Sequence, residues 1–332
     1  MYLDLYANGN KKMLNMLILE ILKDYTDADH PLTQQEIIDL LNRNYGMICD
    51  RRSVRNNIRS LQDMGYDICT QRGCYLVERE FDDAELRMLI DSVLFSKNIS
   101  CTQAKRLIDK LKSLGNRYFR AKVTHVSNLP DIFHSDNKQT MVALDVLNDA
   151  IEANRKVSFI YNCYDMDFKL HPRRKEPYIV SPYQMVANNG RYYLIGNYDR
   201  YDDVSHYRID RITSVTVLSE SRKPKSKIKD FARGFNLPRH MAEHIYMYSG
   251  ESVTVKFTAE MNLMDELVDW FGTDFRIHEM GHDTMMVTLT CNERAMMYWA
   301  LQYGQHIEIK EPRSLRDSVR RVVQQMAGKY EI

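Results

Sequence analysis

The sequence predicts an α+β multidomain protein, and three observations carry that expectation. Residues 11–64 place apolar side chains at helical spacing in three successive segments. Residues 178–217 are rich in β-branched and aromatic residues around a two-residue hairpin signal. Residues 252–327 alternate strand-like and helix-like patterns in the order β-α-β-β-α-β, with a helix added. The 332 residues suffice for two or three domains.

The first segment, Lys11 to Tyr25, predicts a helix with Leu14, Leu17, Ile18, Ile21 and Leu22 on one stripe. After a loop from Asp27 to Pro31, Thr33 stands as N-cap with Glu36 three residues on, the pattern of a capping box. Ile37, Leu40 and Leu41 supply that helix's buried face, and Asn44-Tyr45-Gly46 ends it. A third helix is expected from about Asp50 to Met64, where Val54, Ile58 and Leu61 recur at i, i+4 and i+7. Its other face carries Arg51, Arg52, Ser53, Arg55, Asn56, Asn57 and Arg59. Gly65 stops it, and Tyr66 to Thr70 and Gly73 to Val77 read as two short strands around Gln71-Arg72. Helix, capped helix, basic helix and wing together describe a winged helix-turn-helix DNA-binding domain over residues 1–80. In that arrangement the third helix enters the major groove. Arg pairs with guanine edges and Asn with adenine, while other Arg and Ser contacts go to phosphates. Arg52, Ser53, Asn56 and Asn57 are therefore the candidates for base or near-base contact. Arg51, Arg55 and Arg59 are the candidates for phosphates, and Arg72 for the wing. A solvated basic face is the competing reading; four Arg and two Asn with almost no acids favour DNA.

Residues 81–137 predict two more helices, Asp82 to Ser96 and Thr102 to Leu114, followed by an irregular linker from Asn116 to Asn137. Leu86, Leu89, Ile90, Val93 and Leu94 stripe the first, and Leu107, Ile108, Leu111 and Leu114 the second. They either pack on the winged helix or form a dimer interface; two-fold reading of operators favours the dimer.

Residues 138–222 begin with a helix, Lys138 to Asn154, and two strands, Lys156 to Tyr161 and Asp167 to Lys175. Tyr178 to Ala187 is a strand, Asn189-Gly190 a type I′ turn, Arg191 to Tyr198 the return strand, and Val204 to Ile209 a third strand after a charged loop. Alternation puts Tyr192 and Leu194 on one face and Tyr193 on the other. It likewise pairs Tyr207 with Ile209 and His206 with Arg208. If the apolar pairs go inward, Tyr193, His206 and Arg208 converge outside on a cationic, aromatic surface suited to a phosphate or a base.

Gly190-Arg191-Tyr192-Tyr193-Leu194, followed by His206-Tyr207-Arg208-Ile209-Asp210-Arg211-Ile212, resembles the WYL domain of bacterial transcription regulators. Tyr192 stands where the family's Trp is usual. The resemblance implies an Sm-like, SH3-like β-barrel that senses a ligand, a nucleotide or a single-stranded nucleic acid. By position, Tyr193, Arg208 and Arg211 match the residues that line the family's pocket. His206 sits where the family often has a basic or polar residue, and Ser181 in the preceding strand is a further match. Tyrosines as barrel core and an Arg–Asp surface pair are the competing reading. The run from Asp50-Arg51-Arg52-Ser53-Val54-Arg55 to Gly65-Tyr66 resembles the DNA-binding domain commonly fused to WYL domains.

Residues 223–250 read as a polar, lysine-rich linker. Residues 251–332 predict strands at Ser252–Thr258, Phe275–Met280, Thr284–Thr290 and His306–Ile309, and helices at Asn262–Phe271, Glu293–Tyr303 and Ser314–Ala327. That order is ferredoxin-like, and it resembles the C-terminal extension found after WYL domains. Arg313, Arg316 and Arg320 share one side of the last helix, either a solvated face or a second wall of the ligand groove.

Composition excludes several classes. Lys plus Arg number 46 and Asp plus Glu 45, so any nucleic-acid surface rests on local clustering, not on net charge. Six cysteines with no C-x-x-C pair argue against a zinc ribbon or a disulfide scaffold, and the apolar run Met13 to Leu22 is too short to span a bilayer. A reducing cytoplasm and no membrane are expected. His240-Met241-Ala242-Glu243-His244 matches the inverted zinc-peptidase pattern H-x-x-E-H, and His278 and His282 repeat its spacing. No third ligand is placed by pattern, so zinc hydrolysis is the remote alternative. With only 13 glycines and no Gly-rich phosphate loop, a nucleotide-hydrolysing engine is not expected. The sequence thus reads as a non-enzymatic regulator without cofactor. Its partners would be a double-stranded DNA operator, a nucleotide or single-stranded nucleic-acid effector, and a second copy in a homodimer. The alternative is an accessory protein that binds single-stranded RNA or DNA to modulate a defence nuclease.

Overall fold

The computed structural model describes residues 11–123, 135, 137–232, 234–279, 281 and 283–330. Two units divide the chain, Met1–Ser96 with Ser100–His134, and Lys97–Ile99 with Ser135–Ile332.

In the first unit, α1 (Leu14–Tyr25), α2 (Gln34–Tyr45) and α3 (Arg51–Asp63) share one core. The predicted stripes bury: Ile18, Ile21, Leu22, Ile37, Leu41, Val54, Ile58 and Leu61 all belong to it. The capping box forms, with Thr33 N donating to Glu36 Oε2 at 2.7 Å and Glu36 N donating to Thr33 Oγ1 at 3.2 Å. Asp50 Oδ1 accepts from Ser53 N at 2.7 Å and so fixes the start of α3. Two short strands follow, β1 (Ile68–Cys69) and β2 (Tyr75–Leu76), paired antiparallel. Next come α4 (Asp83–Leu94), α5 (Cys101–Leu114) and α6 (Arg117–Lys122). Leu86, Ile90, Leu94 and Ile108 are buried, whereas Met88, Leu89, Phe95 and Leu114 stay exposed. The expected linker after Asn116 opens instead with α6, because Asn116 Oδ1 caps Phe119 N at 2.8 Å and Phe119 is buried. Residues 124–134 and 136 of that linker lie outside the described residues.

The second unit contains a curled antiparallel sheet beside α7 (Thr140–Glu152). Its strands are β3 (Arg155–Tyr164), β4 (Leu170–Pro172), β5 (Tyr178–Asn188), β6 (Arg191–Tyr198), β7 (Ser205–Arg208) and β8 (Ile212–Ser221). The order is β4-β3-β5-β6-β7, with β8 also paired to β3. Asn189 and Gly190 turn β5 into β6 at φ 48° and 69°, the positive pair that a type I′ hairpin needs. Leu147, Val157, Phe159, Val180, Leu194, Tyr207, Ile209 and Ile212 form the core. The sheet bears a second apolar cluster. Tyr183, Val186, Ile195 and Val204 pack there against Ile228, Phe231 and Met247. Those last three come from residues 223–250, so the expected linker is a packed layer that carries α8 (Lys229–Ala232) and α9 (Leu237–Glu243). Its apolar residues are irregularly spaced, and the sequence therefore showed no period.

The remaining elements are β9 (Ser252–Glu260), α10 (Met264–Phe271), β10 (Arg276–Glu279), β11 (Thr284–Asn292), α11 (Glu293–Gln302), β12 (Ile307–Glu311) and α12 (Arg313–Lys329). They follow the expected β-α-β-β-α-β order, in an antiparallel sheet of order β10-β11-β9-β12. Val255, Phe257, Leu267, Val287, Leu289, Trp299 and Leu315 are among its buried residues. In α12, where Leu315, Val319, Val322 and Met326 recur at helical spacing, only Leu315 is buried. Among the described residues, no helix is long and apolar enough to cross a membrane.

Candidate functional site

In the first unit, burial of Val54, Ile58 and Leu61 turns the opposite face of α3 outward. Arg51, Arg52, Arg55, Asn56 and Arg59 are exposed along it. Arg51 donates to Gln35 Oε1 at 3.3 Å. Arg52, Arg55 and Arg59 have no ion pair with a described carboxylate. Ser53 and Asn57 are half-buried at the margin, and Asn57 Nδ2 is engaged by Ser53 O at 2.7 Å. Arg72 is exposed in the turn between β1 and β2.

In the second unit the candidate residues sit on β6, β7 and the single 3-10 turn Ile209–Arg211 that follows. Tyr193 lies opposite Arg208 across the β6–β7 ladder, and Ile195 lies opposite His206. The turn brings Asp210, only 2 % exposed, back beneath Arg208. Arg208 grips it with two bonds, Nε to Oδ1 at 3.0 Å and Nη2 to Oδ2 at 2.6 Å. Arg191 adds a third from Nη1 to Oδ2 at 3.0 Å. Bidentate pairing of this kind fixes the guanidinium plane as well as its charge. Burial works against the Arg208 charge, but the hydrogen bonds and charge of Asp210 outweigh it and raise its pKa. Burial alone leads the lowering of Arg191. Burial likewise raises the Tyr193 phenol, opposed by the charges of Arg208, Arg191 and Arg211. Arg211 keeps a buried Nε with no hydrogen-bond partner. Two guanidinium groups thus share one carboxylate, and the charge of Arg211 is felt at Arg191 and Tyr193, so the neighbourhood holds an excess of positive charge beside a half-buried phenol. A phosphate oxygen or a base stacked on the ring suits such an arrangement.

The other two candidates are placed differently. Ser181 is fully buried, and its Oγ accepts from Lys223 N at 2.9 Å. It pairs with Asn197, four positions along β6 from Tyr193. His206 shares a face with Arg208 but is covered by α9. Its Nε2 lies 2.8 Å from His240 Nε2, and its ring centroid lies 5.2 Å from that of His244. His240 and His244 stack at 4.1 Å. Burial, then the charges of His244 and His240, holds the His206 pKa well below its ordinary value. Burial, then His244, lowers His240 to about 3. The H-x-x-E-H motif therefore packs its two rings against His206, with His240 held neutral, and Glu243 pairs with Arg239 at 2.7 Å. Among the described residues no group of three or more His, Cys, Asp or Glu is placed to hold a metal ion. His282, of the second histidine pair, lies outside the described residues.

Residues 142–217 match the WYL domain, and residues 249–327 match the WCX domain. The chain thus carries a WYL domain followed by a WCX domain. Among solved structures it is similar to proteasome accessory factor B/C (PafBC) of Arthrobacter aurescens, at 14% identity and a TM-score of 0.30, over 97% of this chain and 49% of that one. It therefore spans about half the length of the PafBC chain. A CRISPR Cas-related protein is similar at 17% identity and a TM-score of 0.40, over 76% of this chain and 75% of that one. No curated protein matches the sequence.

Two participants in the WYL cluster escaped the sequence reading, Arg191 and Asn98. Alternation from Tyr193 places Arg191 on the same face, a signal that was available. Asn98 brackets the hairpin, donating from Nδ2 to Gly190 O at 3.0 Å and accepting Tyr192 N at Oδ1 at 2.8 Å. Lying more than ninety positions away in sequence, it gave no local sign.

Proposed function

We propose that this WYL-domain protein is a ligand-responsive transcription regulator. It binds duplex DNA through a winged helix-turn-helix formed by α1–α3, β1 and β2. Its WYL domain, an Sm-like barrel, senses a nucleotide or single-stranded nucleic acid, and residues 251–332 form a ferredoxin-like extension. The observation that carries the reading is the outward face of α3. Arg52, Arg55 and Arg59 are exposed and unneutralised there, on a chain whose net charge is only +1. The positive excess around Asp210 supports the effector half in the same way. A homodimer on an inverted repeat follows from the two-fold logic of operators. The reading assigns no catalytic step and places the protein in the cytoplasm.

The test is binding to a labelled duplex of the protein's own upstream region, titrated with salt and nonspecific competitor. Arg52→Ala or Asn56→Ala should each weaken specific binding by about 1–3 kcal/mol. Arg55→Ala and Arg59→Ala should each lower the salt slope by about 1. Specific affinity unchanged in both Arg52→Ala and Asn56→Ala sinks the DNA half. Short single-stranded oligonucleotides should then shift operator affinity, and Arg208→Ala or Tyr193→Ala should abolish the shift while leaving duplex binding intact. A full response in both variants removes the effector half.

A further inference from the structure

The C-terminal sheet buries one face, with Val255, Phe257, Val287 and Leu289 in its core. Its other face is polar, and part of it is enclosed. Alternation puts Thr254 of β9, Thr288 and Thr290 of β11 and Arg276 of β10 on that outer face. The register brings them together, with Arg276 opposite Thr288 and Thr290 opposite Thr254. Side chains paired in this way stand about 5 Å apart, so the four form one patch. Helix α9 walls the patch. Arg239, Ala242 and Glu243 recur at i, i+3 and i+4, share one side of that helix and line the same cavity. The segment leading into β10 adds Asp274 and Phe275. These elements bound a pocket of about 450 Å³, a size usual for small-molecule sites.

The pocket holds two cations and two anions, and one pair of them is already joined. Arg239 Nε donates to Glu243 Oε1 at 2.7 Å. Lys256, the other basic neighbour of Thr288, is held outside the pocket by Glu311 at 3.0 Å. Arg276 and Asp274 are exposed and form no ion pair with a described group, although the charge of Asp274 is felt at Arg239. They lie two positions apart on one edge and do not meet each other. Among the described residues the hydroxyls of Thr254, Thr288 and Thr290 have no hydrogen-bond partner either. One guanidinium fork, one carboxylate and three hydroxyls therefore face one cavity unengaged. A simple anion would satisfy Arg276 but meet Asp274 as a like charge, and a simple cation would do the reverse. A small molecule that carries both charges close together satisfies both, through charge-assisted hydrogen bonds.

We propose that this pocket binds a free α-amino acid. The carboxylate takes the Arg276 fork and the Thr288 hydroxyl, the ammonium takes Asp274, and the side chain lies along Ala242 and Phe275. Helix α9 also carries His240, whose Nε2 lies 2.8 Å from His206 Nε2 on β7. The helix that walls the pocket thus also covers the WYL sheet, two positions from Arg208. The site uses neither α3 nor the Arg208 cluster and stands independently of the DNA and effector readings.

The experiment is a thermal-unfolding screen of the full chain with each proteinogenic L-amino acid, followed by calorimetric titration of those that raise the unfolding temperature. At least one is expected to bind with a Kd below about 1 mM. Its analogue without the amino group, and the amine without the carboxylate, should each bind at least about tenfold more weakly, because each leaves one charged group of the pocket unpaired. Arg276→Met and Asp274→Asn should each weaken binding by a similar factor. Both replace exposed side chains, so their urea midpoints should stay near wild type. Arg211→Ala, outside the pocket, should bind the amino acid as wild type does. The proposal is overturned if no amino acid binds, or if the deaminated analogue or inorganic phosphate binds as tightly as the amino acid. Wild-type affinity in both pocket variants, or loss of binding in Arg211→Ala, overturns it equally.

Discussion

Asp210 is the residue on which the WYL cluster depends. It is the shared counterion of Arg191 and Arg208, and it lies buried beneath both. Removing one partner of a buried pair leaves the other charge uncompensated, typically at about 3–5 kcal/mol. Asp210→Asn should therefore lower the chain's urea stability by several kcal/mol, whereas Arg211→Ala, which breaks no ion pair among the described residues, should leave stability near wild type and act on the proposed effector binding alone. The histidines give a pH prediction. His206 and His240 are held neutral in the fold, the latter down to about 3 against an ordinary value near 6.5. Below 6.5 the unfolded chain binds more protons than the folded one, so stability is complete above about 6.5 and falls as pH drops towards 3. The slope is at most roughly 1.4 kcal/mol per pH unit for each histidine. His240→Phe should flatten it, seen as a smaller shift in urea midpoint between pH 7 and pH 5 than in wild type. An equal shift in the two proteins means that His240 is not held neutral.

At the scale of the element, local chemistry was well marked. Thr33 and Glu36 predicted a capping box and made one; Thr33→Ala should cost about 1 kcal/mol, measurable by thermal unfolding. The Asn189-Gly190 turn and the three apolar positions of α3 were equally legible, because each depends on residues a few positions apart. Gly196 was not. A Cβ there would lie 2.6 Å from Val180 Cγ1 and 3.1 Å from Ser181 O, so β5 and β6 approach closely at that point. Gly196→Ala should force β5 to shift and destabilise the sheet by about 1–3 kcal/mol. Strand β8 also went unpredicted, since Ile212 is its only buried residue and the rest show little amphipathic signal. The Ser181 hydroxyl and the His206 ring show the same limit from the other side. Alternation told which face each occupies, but not that residues 223–250 fold over that face.

For the whole molecule, the proposed regulation requires that the effector bind the DNA-competent and DNA-incompetent states with different affinity. A coupling of about 5- to 150-fold in operator affinity is the expected size, and the operator must change effector affinity by the same factor. Titrating each ligand in the presence of the other checks that reciprocity. The outward face of α3, the hairpin and the aromatic–arginine signature of the WYL domain were determined by sequence alone. Each rests on periodicity, a turn conformation or a contiguous motif, and such signals act over a few residues. Only the tertiary structure decided that Asp210 gathers two arginines, that a polar-looking segment seals His206 beneath α9, and that α9 walls a pocket on the C-terminal sheet. Those outcomes depend on what packs across the chain from a given face, and burial between distant segments leaves no period in the sequence.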